Sequence, residues 1–277
     1  MSLKCLLTYS AQNDLFEGFV DTGSEILSGL NVTERELCNQ AMVIMVKGLY
    51  LNYKQIVGYY LTRDAVSGQS IKDMLINALV KIQDTGLVPK TVVCDQGANN
   101  VKMRKILGVI SDKPYIVIND EKIYFFYDAP HLIKSLRNNL KKYDFNVGGE
   151  ICSWPHIEEF YNKDSTIVPR LAPKLTKQCI SLPPFSPMRV CLAVRTLSHS
   201  VACGIKVHVQ FNSLPPSAAI TADFIEMCDI LFDIFNSSKC SSPKQYRKPL
   251  CSNSNHLEKL VEIEKCLRQI IVLKQRC

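Results

Sequence analysis

The stretch TVVCDQGANN, residues 91–100, places strand-forming residues ahead of an acid, Asp95, and follows the acid with Gly97 and two asparagines. Val92, Val93 and Cys94 suit a buried strand, and the glycine and asparagines suit a turn. The next residues, NNVKMRKILGV (99–109), read as a helix. An acid between a strand and a helix has two readings. It can cap the helix, with Gly97 permitting a tight turn. It can also join other strand-end carboxylates in holding divalent cations that activate and stabilise oxygens in phosphoryl transfer. Spacing leaves both readings open for Asp95.

The flanking sequence supplies the rest of the architecture. AMVIMVKGLY (41–50) is a near-continuous apolar run, as expected of a central strand, and QIVGYYLT (55–62) follows as its antiparallel partner. Ile71, Leu75, Ala78 and Ile82 share one helical face, with Ser70 and Asp73 as the start signal and Gly86 as the stop. Before them, SLKCLLTYS (2–10) and LFEGFVDTG (15–23) read as strands around a turn at Gln12, Asn13 and Asp14. After residue 109, PYIVI and KIYFFYD form a predicted hairpin about Asn119 and Asp120, and the helix HLIKSLRNNLKKY follows. Helix-linked strands after an antiparallel pair predict a mixed sheet. That order suits a ribonuclease-H-like fold, among other α/β folds.

Near residue 150 the pattern changes. Strand signals vanish, LPPFSPMRV (182–190) carries three prolines, and VCLAVRTLSHSVACGI, TADFIEMCDILFDIFNSS and HLEKLVEIEKCLRQIIVLKQ read as helices. Leu257, Leu260, Val261, Leu267 and Ile271 share a face of the last one. The division expected is a domain over 1–149 and a mainly α-helical one over 150–277.

Composition sets limits on function. The 277 residues, 47% hydrophobic and 21% charged, can bury a sizeable core, and the net charge of +7 is compatible with a phosphate-rich partner. Twelve cysteines include no C-x-x-C pair, so a zinc ribbon is unsupported; reduced thiols in a cytosolic or nuclear protein are the simpler reading. With no secretory signal and no run of about 18 apolar residues, no membrane partner is expected. Neither common glycine-rich phosphate loop occurs.

Other polar candidates remain. Asp128 ends KIYFFYD, and capping is the simpler reading because Pro130 suits a first helical turn. His131, three residues on, can share a face with it. Lys134, Arg137, Lys141 and Lys142 make the following helix basic. That suits a nucleic-acid backbone, although an ordinary solvated face explains it as simply. Asp229 and Asp233, four apart, point the same way, most simply into water.

Three segments in order, VVCDQGANN, FFYDAPHLIKSLRNNL and DILFDIFNSS, resemble the P-element and THAP-domain-containing transposase family. The resemblance implies a ribonuclease-H-like catalytic domain with a helical GTP-binding insertion. It also implies nuclear DNA cleavage and strand transfer with two Mg²⁺ ions held by two aspartates and a glutamate. Asp95 takes the place of the second catalytic aspartate, a metal ligand. Asp128 and His131 match the D-x-x-H signature near the site. Asp233 matches an aspartate that recognises guanine, and Arg189, Ser198, Asp164 and Arg170 fall at nucleotide contacts. The basic residues 134, 137, 141 and 142 fall where a DNA backbone would pass. The family's first aspartate belongs to a strand ahead of the segment matching MSLKCLLTY, and its glutamate lies beyond the insertion. The expectation is a fragment without its first strand and inactive alone, with DNA and GTP as partners and homo-oligomerisation open. The alternative is a non-catalytic GTP- or DNA-binding module.

Overall fold

A computed structural model describes residues 3–12, 15–21, 36–184, 186–237 and 241–275. The turn residues Asn13 and Asp14, and the end of the 15–23 run, lie outside them. The chain divides into two compact units, residues 1–127 and 128–277.

The first unit opens with a small hairpin, β1 (Thr8–Ser10) and β2 (Leu15–Glu17). The long pair β3 (Gln40–Lys47) and β4 (Lys54–Thr62) is antiparallel as predicted, with a register shift between Ile44 and Met45. Next come α1 (Gly68–Asp84), β5 (Thr91–Cys94), α2 (Ala98–Ile106), β6 (Tyr115–Ile118) and β7 (Glu121–Tyr127). Helix α1 starts one turn earlier than the Ser70–Asp73 signal, because the Ser67 hydroxyl accepts the Ser70 N–H and caps it. Gly86 does end it, at φ +83°, donating its N–H to the Gln83 carbonyl. Asn119 and Asp120 both have positive φ, the conformation of the two-residue hairpin turn that asparagine and aspartate tolerate.

Strand β7 is the hub, pairing with β5 in parallel and with β6 antiparallel. Its inward residues Ile123 and Phe125 are buried with Leu75 and Leu79 of α1 and Met103 of α2. The expected central place of β3 differs in the structure. Among the described residues β4 is its strand partner, and Val43 and Met45 stay exposed on it.

The second unit is mainly helical: α3 (Ala129–Lys142), α4 (Trp154–Asp164), α5 (Lys177–Ser181), α6 (Val190–Thr196), α7 (His199–Gln210), α8 (Ala218–Phe235) and α9 (His256–Arg268). Strands do not vanish from it, however. β8 (Tyr143–Val147) pairs with β9 (Glu150–Cys152) on one side and β10 (Ile271–Gln275) on the other. The final helix therefore stops at Arg268, and Ile271, expected on its face, starts a strand. The run Ile270-Ile271-Val272 favours strand by β-branching, and pairing with β8 realises it. Leu257 and Val261 are exposed, and α9 buries His256 and Ile263 instead.

Residues 190–210 are long and apolar enough to cross a membrane by length and composition, a feature that counting apolar runs passes over. In the fold, two helices interrupted at Leu197 and Ser198 share this stretch, and Leu192, Ala193, Val201, Ala202 and Ile205 are buried in the helical core. Gly204 marks the tightest approach there. A Cβ at Gly204 would stand 2.4 Å from the Phe160 ring of α4. Gly204→Ala gains about 1 kcal/mol of helix propensity, but overpacking costs about 1–3 kcal/mol. Urea denaturation is expected to show net destabilisation; a more stable variant would contradict this packing.

Candidate functional site

The two strand-end acids are held in different ways. Asp95 follows β5 directly. Its Oδ1 accepts the Gly97 N–H at 2.8 Å and the Asn100 side-chain amide at 2.8 Å. The N-cap position of α2 is Gly97, so Asp95 shapes the turn before the helix rather than capping it. A Cβ on Gly97 would lie 2.9 Å from Asp95 Oδ1, which accounts for glycine there. The carboxylate also stands ahead of a helix N-terminus, where negative charge is favoured. Behind it, burial pushes the Cys94 thiol up, Arg104 opposing, and Cys94 packs against the core as a small hydrophobe.

Asp95 and Asn100 belong to the lining of an apolar groove of about 710 Å³. Strands β3 and β5 and the α1 residues Ile71, Leu75, Leu79 and Ile82 make up most of that lining. Val93 of β5 is exposed, like Val43 and Met45 of β3. As strands, β5 has β7 as its partner and β3 has β4. At the start of β3 the Leu3 N–H bonds the Asn39 carbonyl at 2.7 Å.

Asp128 is the N-cap of α3, as capping logic predicts. Its Oδ2 accepts the His131 N–H at 3.2 Å and stands 2.5 Å from His131 Nδ1. The D-x-x-H pair thus closes on itself as a cap with an oriented imidazole. An aspartate carboxylate suits Mg²⁺, a hard cation that takes oxygen ligands. Among the described residues, however, no three His, Cys, Asp or Glu side chains gather to hold a metal. Asp95 alone does not make such a site.

The basic face of α3 needs correction. Arg137 is wholly buried and Lys134 nearly so, and of the four cations only Lys142 is exposed. Arg137 follows Ile133 by four and precedes Leu140 by three, so it lies on the apolar face that packs against α6. Its Nε donates to Asn138 Oδ1 and its Nη2 to the Pro187 carbonyl. Burial pulls its pKa down. Lys141 donates to the Ile180 carbonyl and lies over the Trp154 ring. Lys134, Arg137 and Lys141 therefore serve the interior of this unit and do not offer a DNA backbone an open face.

The nucleotide candidates separate into groups. Asp164 is fully buried, and accepts from Arg170 Nε at 3.1 Å and from the backbone N–H groups of Leu171 and Ala172. Arg170 also donates to the Leu175 carbonyl. These two tie down the chain after α4. Arg189 is exposed at the N-cap of α6, and Ser198 stands at the N-cap of α7 with its hydroxyl donating to the Arg195 carbonyl. Asp233 is buried on α8 beside Asp229. The two aspartates do face the same way, but not into water. Lys244 Nζ lies 2.8 Å from Asp229 Oδ2 and 2.7 Å from Asp233 Oδ2, and Arg247 Nε lies 3.4 Å from Asp233 Oδ1. Sequence reasoning placed Asp229 in water and missed Lys244 and Arg247. The cations lie in a Ser- and Lys-rich connector, and only the fold pairs them with α8.

Residues 1–108 match the family model described as "TNP-like, RNase H N-terminal domain", and residues 130–249 match "TNP-like, GTP-binding insertion domain". The chain belongs to the P-element-type transposase family. It is 26% identical over 252 residues to the human protein DNA transposase THAP9, covering 87% of this chain and 27% of that one. It is 27% identical over 238 residues to the Transposable element P transposase of Drosophila melanogaster, covering 82% and 31%. The chain thus spans under a third of these relatives' lengths. Among solved structures, the Drosophila P element transposase strand transfer complex superposes with a TM-score of 0.78 at 23% identity, over 97% of this chain and 57% of that one. The fold is ribonuclease-H-like, with a helical insertion domain.

Asp164 supplies a direct test of the interior reading. Removing one partner of a buried, hydrogen-bonded ion pair costs about 3–5 kcal/mol. Asp164→Ala is expected to lose that much in urea denaturation; a loss under about 1 kcal/mol would leave Asp164 free for another role.

Proposed function

We propose that this chain is a segment of a P-element-type DNA transposase. In this reading Asp95 is a ligand to catalytic Mg²⁺, and the second unit binds GTP through Asp233. The observation that carries the reading is the order of the parts: a strand-end aspartate fixed by its own turn in the ribonuclease-H-like unit, then the GTP-binding insertion domain. Bound Mg²⁺ would supply charge stabilisation and an activated oxygen for phosphoryl transfer. The contribution of this chain is to orient the Asp95 carboxylate through Gly97 and Asn100.

The groove between β3 and β5 supports the expectation of a further strand. A groove flanked by two strands and lined by an apolar helix face suits an extended segment whose side chains cover Val43, Met45 and Val93. The resemblance assigns the family's first aspartate to such a strand. We infer that the 277 residues alone do not cleave DNA, since Asp95 is one of the three carboxylates that the chemistry uses. Nuclear location is part of the same proposal. DNA and GTP are its partners, and self-association is left to measurement.

The alternative, a GTP- or DNA-binding module without chemistry, is favoured by one observation. The insertion domain keeps a buried two-carboxylate site, whereas Asp95 has no metal-ligand cluster among the described residues.

The test is a Mg²⁺-dependent cleavage and strand-transfer assay with the purified chain on transposon-end duplexes. No product is expected from wild type or from Asp95→Ala. Product from wild type that disappears in Asp95→Ala would overturn the inference of inactivity while strengthening the assignment of Asp95. A parallel titration with labelled duplex, followed by anisotropy at two salt concentrations, separates a DNA-binding module from one that binds GTP alone.

A further inference from the structure

Asp229 and Asp233 form a buried, charged cluster among the described residues of the second unit. Their side chains are 10% and 8% exposed, and one ammonium, that of Lys244, sits between them. Two carboxylates four residues apart on a helix repel each other when buried unpaired. Lys244 offsets that repulsion with two short, charge-assisted bonds. Arg247 adds a longer contact to the other oxygen of Asp233. Both cations come from the short turn around Gln245–Arg247, which packs on α8.

The arrangement has a chemical meaning. A carboxylate that reads guanine must accept from the adjacent N1–H and N2–H donors, using both oxygens. At Asp233, Lys244 occupies Oδ2 and Arg247 approaches Oδ1. A guanine and the Lys244 ammonium therefore compete for the same carboxylate oxygens. Adenine, with an acceptor at N1, would not replace the ammonium.

We propose that Lys244 is an internal latch on the guanine site, and that the segment carrying Lys244 and Arg247 must release Asp233 before a guanine nucleotide binds. The proposal rests on the reading of Asp233 as the guanine-recognising residue. The latch is poised rather than locked. The Lys244 side chain is 44% exposed, so its ion pairs are partly screened by water and salt. Burial draws the Lys244 ammonium down, but the hydrogen bonds and charges of the two aspartates outweigh it and leave it above the ordinary lysine range. It therefore stays charged at neutral pH, and release is driven by competition from the nucleotide, not by deprotonation.

Two substitutions weaken the latch from opposite sides. Lys244→Ala removes the ammonium, and Asp229→Asn removes half of its hold while leaving Asp233 intact. A fluorescent GTP analogue titrated into the full chain measures the result, with thermal melting run on each variant to confirm folding. If the latch is closed in about nine of ten molecules, opening it tightens binding by about tenfold, since apparent affinity scales with the competent fraction. Lys244→Ala and Asp229→Asn are expected to bind more tightly than wild type, and Asp233→Asn is expected to lose binding. If Asp233→Asn abolishes binding but both latch variants bind GTP as wild type does, or more weakly, the latch is overturned and the guanine site stands. If Asp233→Asn binds like wild type, the guanine reading itself fails. The Asn variants keep the shape of the aspartates, so the comparison survives if Lys244→Ala does not fold.

Discussion

The parallel pairing of β5 with β7 is the constraint on which the first unit depends. Its register sets Cys94 opposite Tyr127, so both strands end at the same level. Parallel pairing requires a crossover, and α2 and the β6 hairpin provide it. The crossover buries Met103, Ile116 and Ile123 beneath the sheet. It also fixes where the chain leaves β5, and the turn at Asp95 follows from that exit. The carboxylate is held by Gly97 and Asn100 because a strand must become a helix within three residues. A site built on such a turn is positioned by the fold.

The second unit depends on a different rule, that a charge is buried only with partners. Asp164 meets it with an arginine and two backbone N–H groups, and Asp229 and Asp233 with one lysine. Arg137 meets it in part, through Asn138 and Pro187, while its Nη1 has no hydrogen-bond partner. Apart from the Arg137–Asn138 bond within α3, these bonds hold loops: Pro187 ahead of α6, Leu171 and Ala172 after α4, Lys244 over α8. The loops of the GTP-binding insertion domain are thereby fastened by charged side chains as much as by apolar packing.

Legibility in the sequence followed the range of the interaction. The hairpin at Asn119 and Asp120, the apolar face of α1, the cap at Asp128 and the glycine stop at Gly86 are all local, and each was readable from a few residues. The start of α1 was misplaced because Ser67 and Ser70 are both good caps, and only backbone geometry chooses between them. Strand β10 was read as helix because its partner lies more than a hundred residues away. Charge alone makes α3 look like a solvated or DNA-facing stripe, but Ile133, Arg137 and Leu140 share one face, and burial follows from that spacing. The Lys244 clamp on Asp229 and Asp233 joins a helix to a polar connector, and no local pattern announces it. The family motifs showed which aspartates to watch, and the fold showed what each one holds.

The second unit matches a GTP-binding insertion domain, and the proposal that it binds guanine nucleotide stands apart from any DNA chemistry at Asp95. Calorimetric titration of the whole chain with GTP, and with ATP as the control, tests it most directly. Saturable heat at one site is expected for GTP and none for ATP at the same concentrations. Equal heats for the two nucleotides, or no heat for GTP, would contradict it.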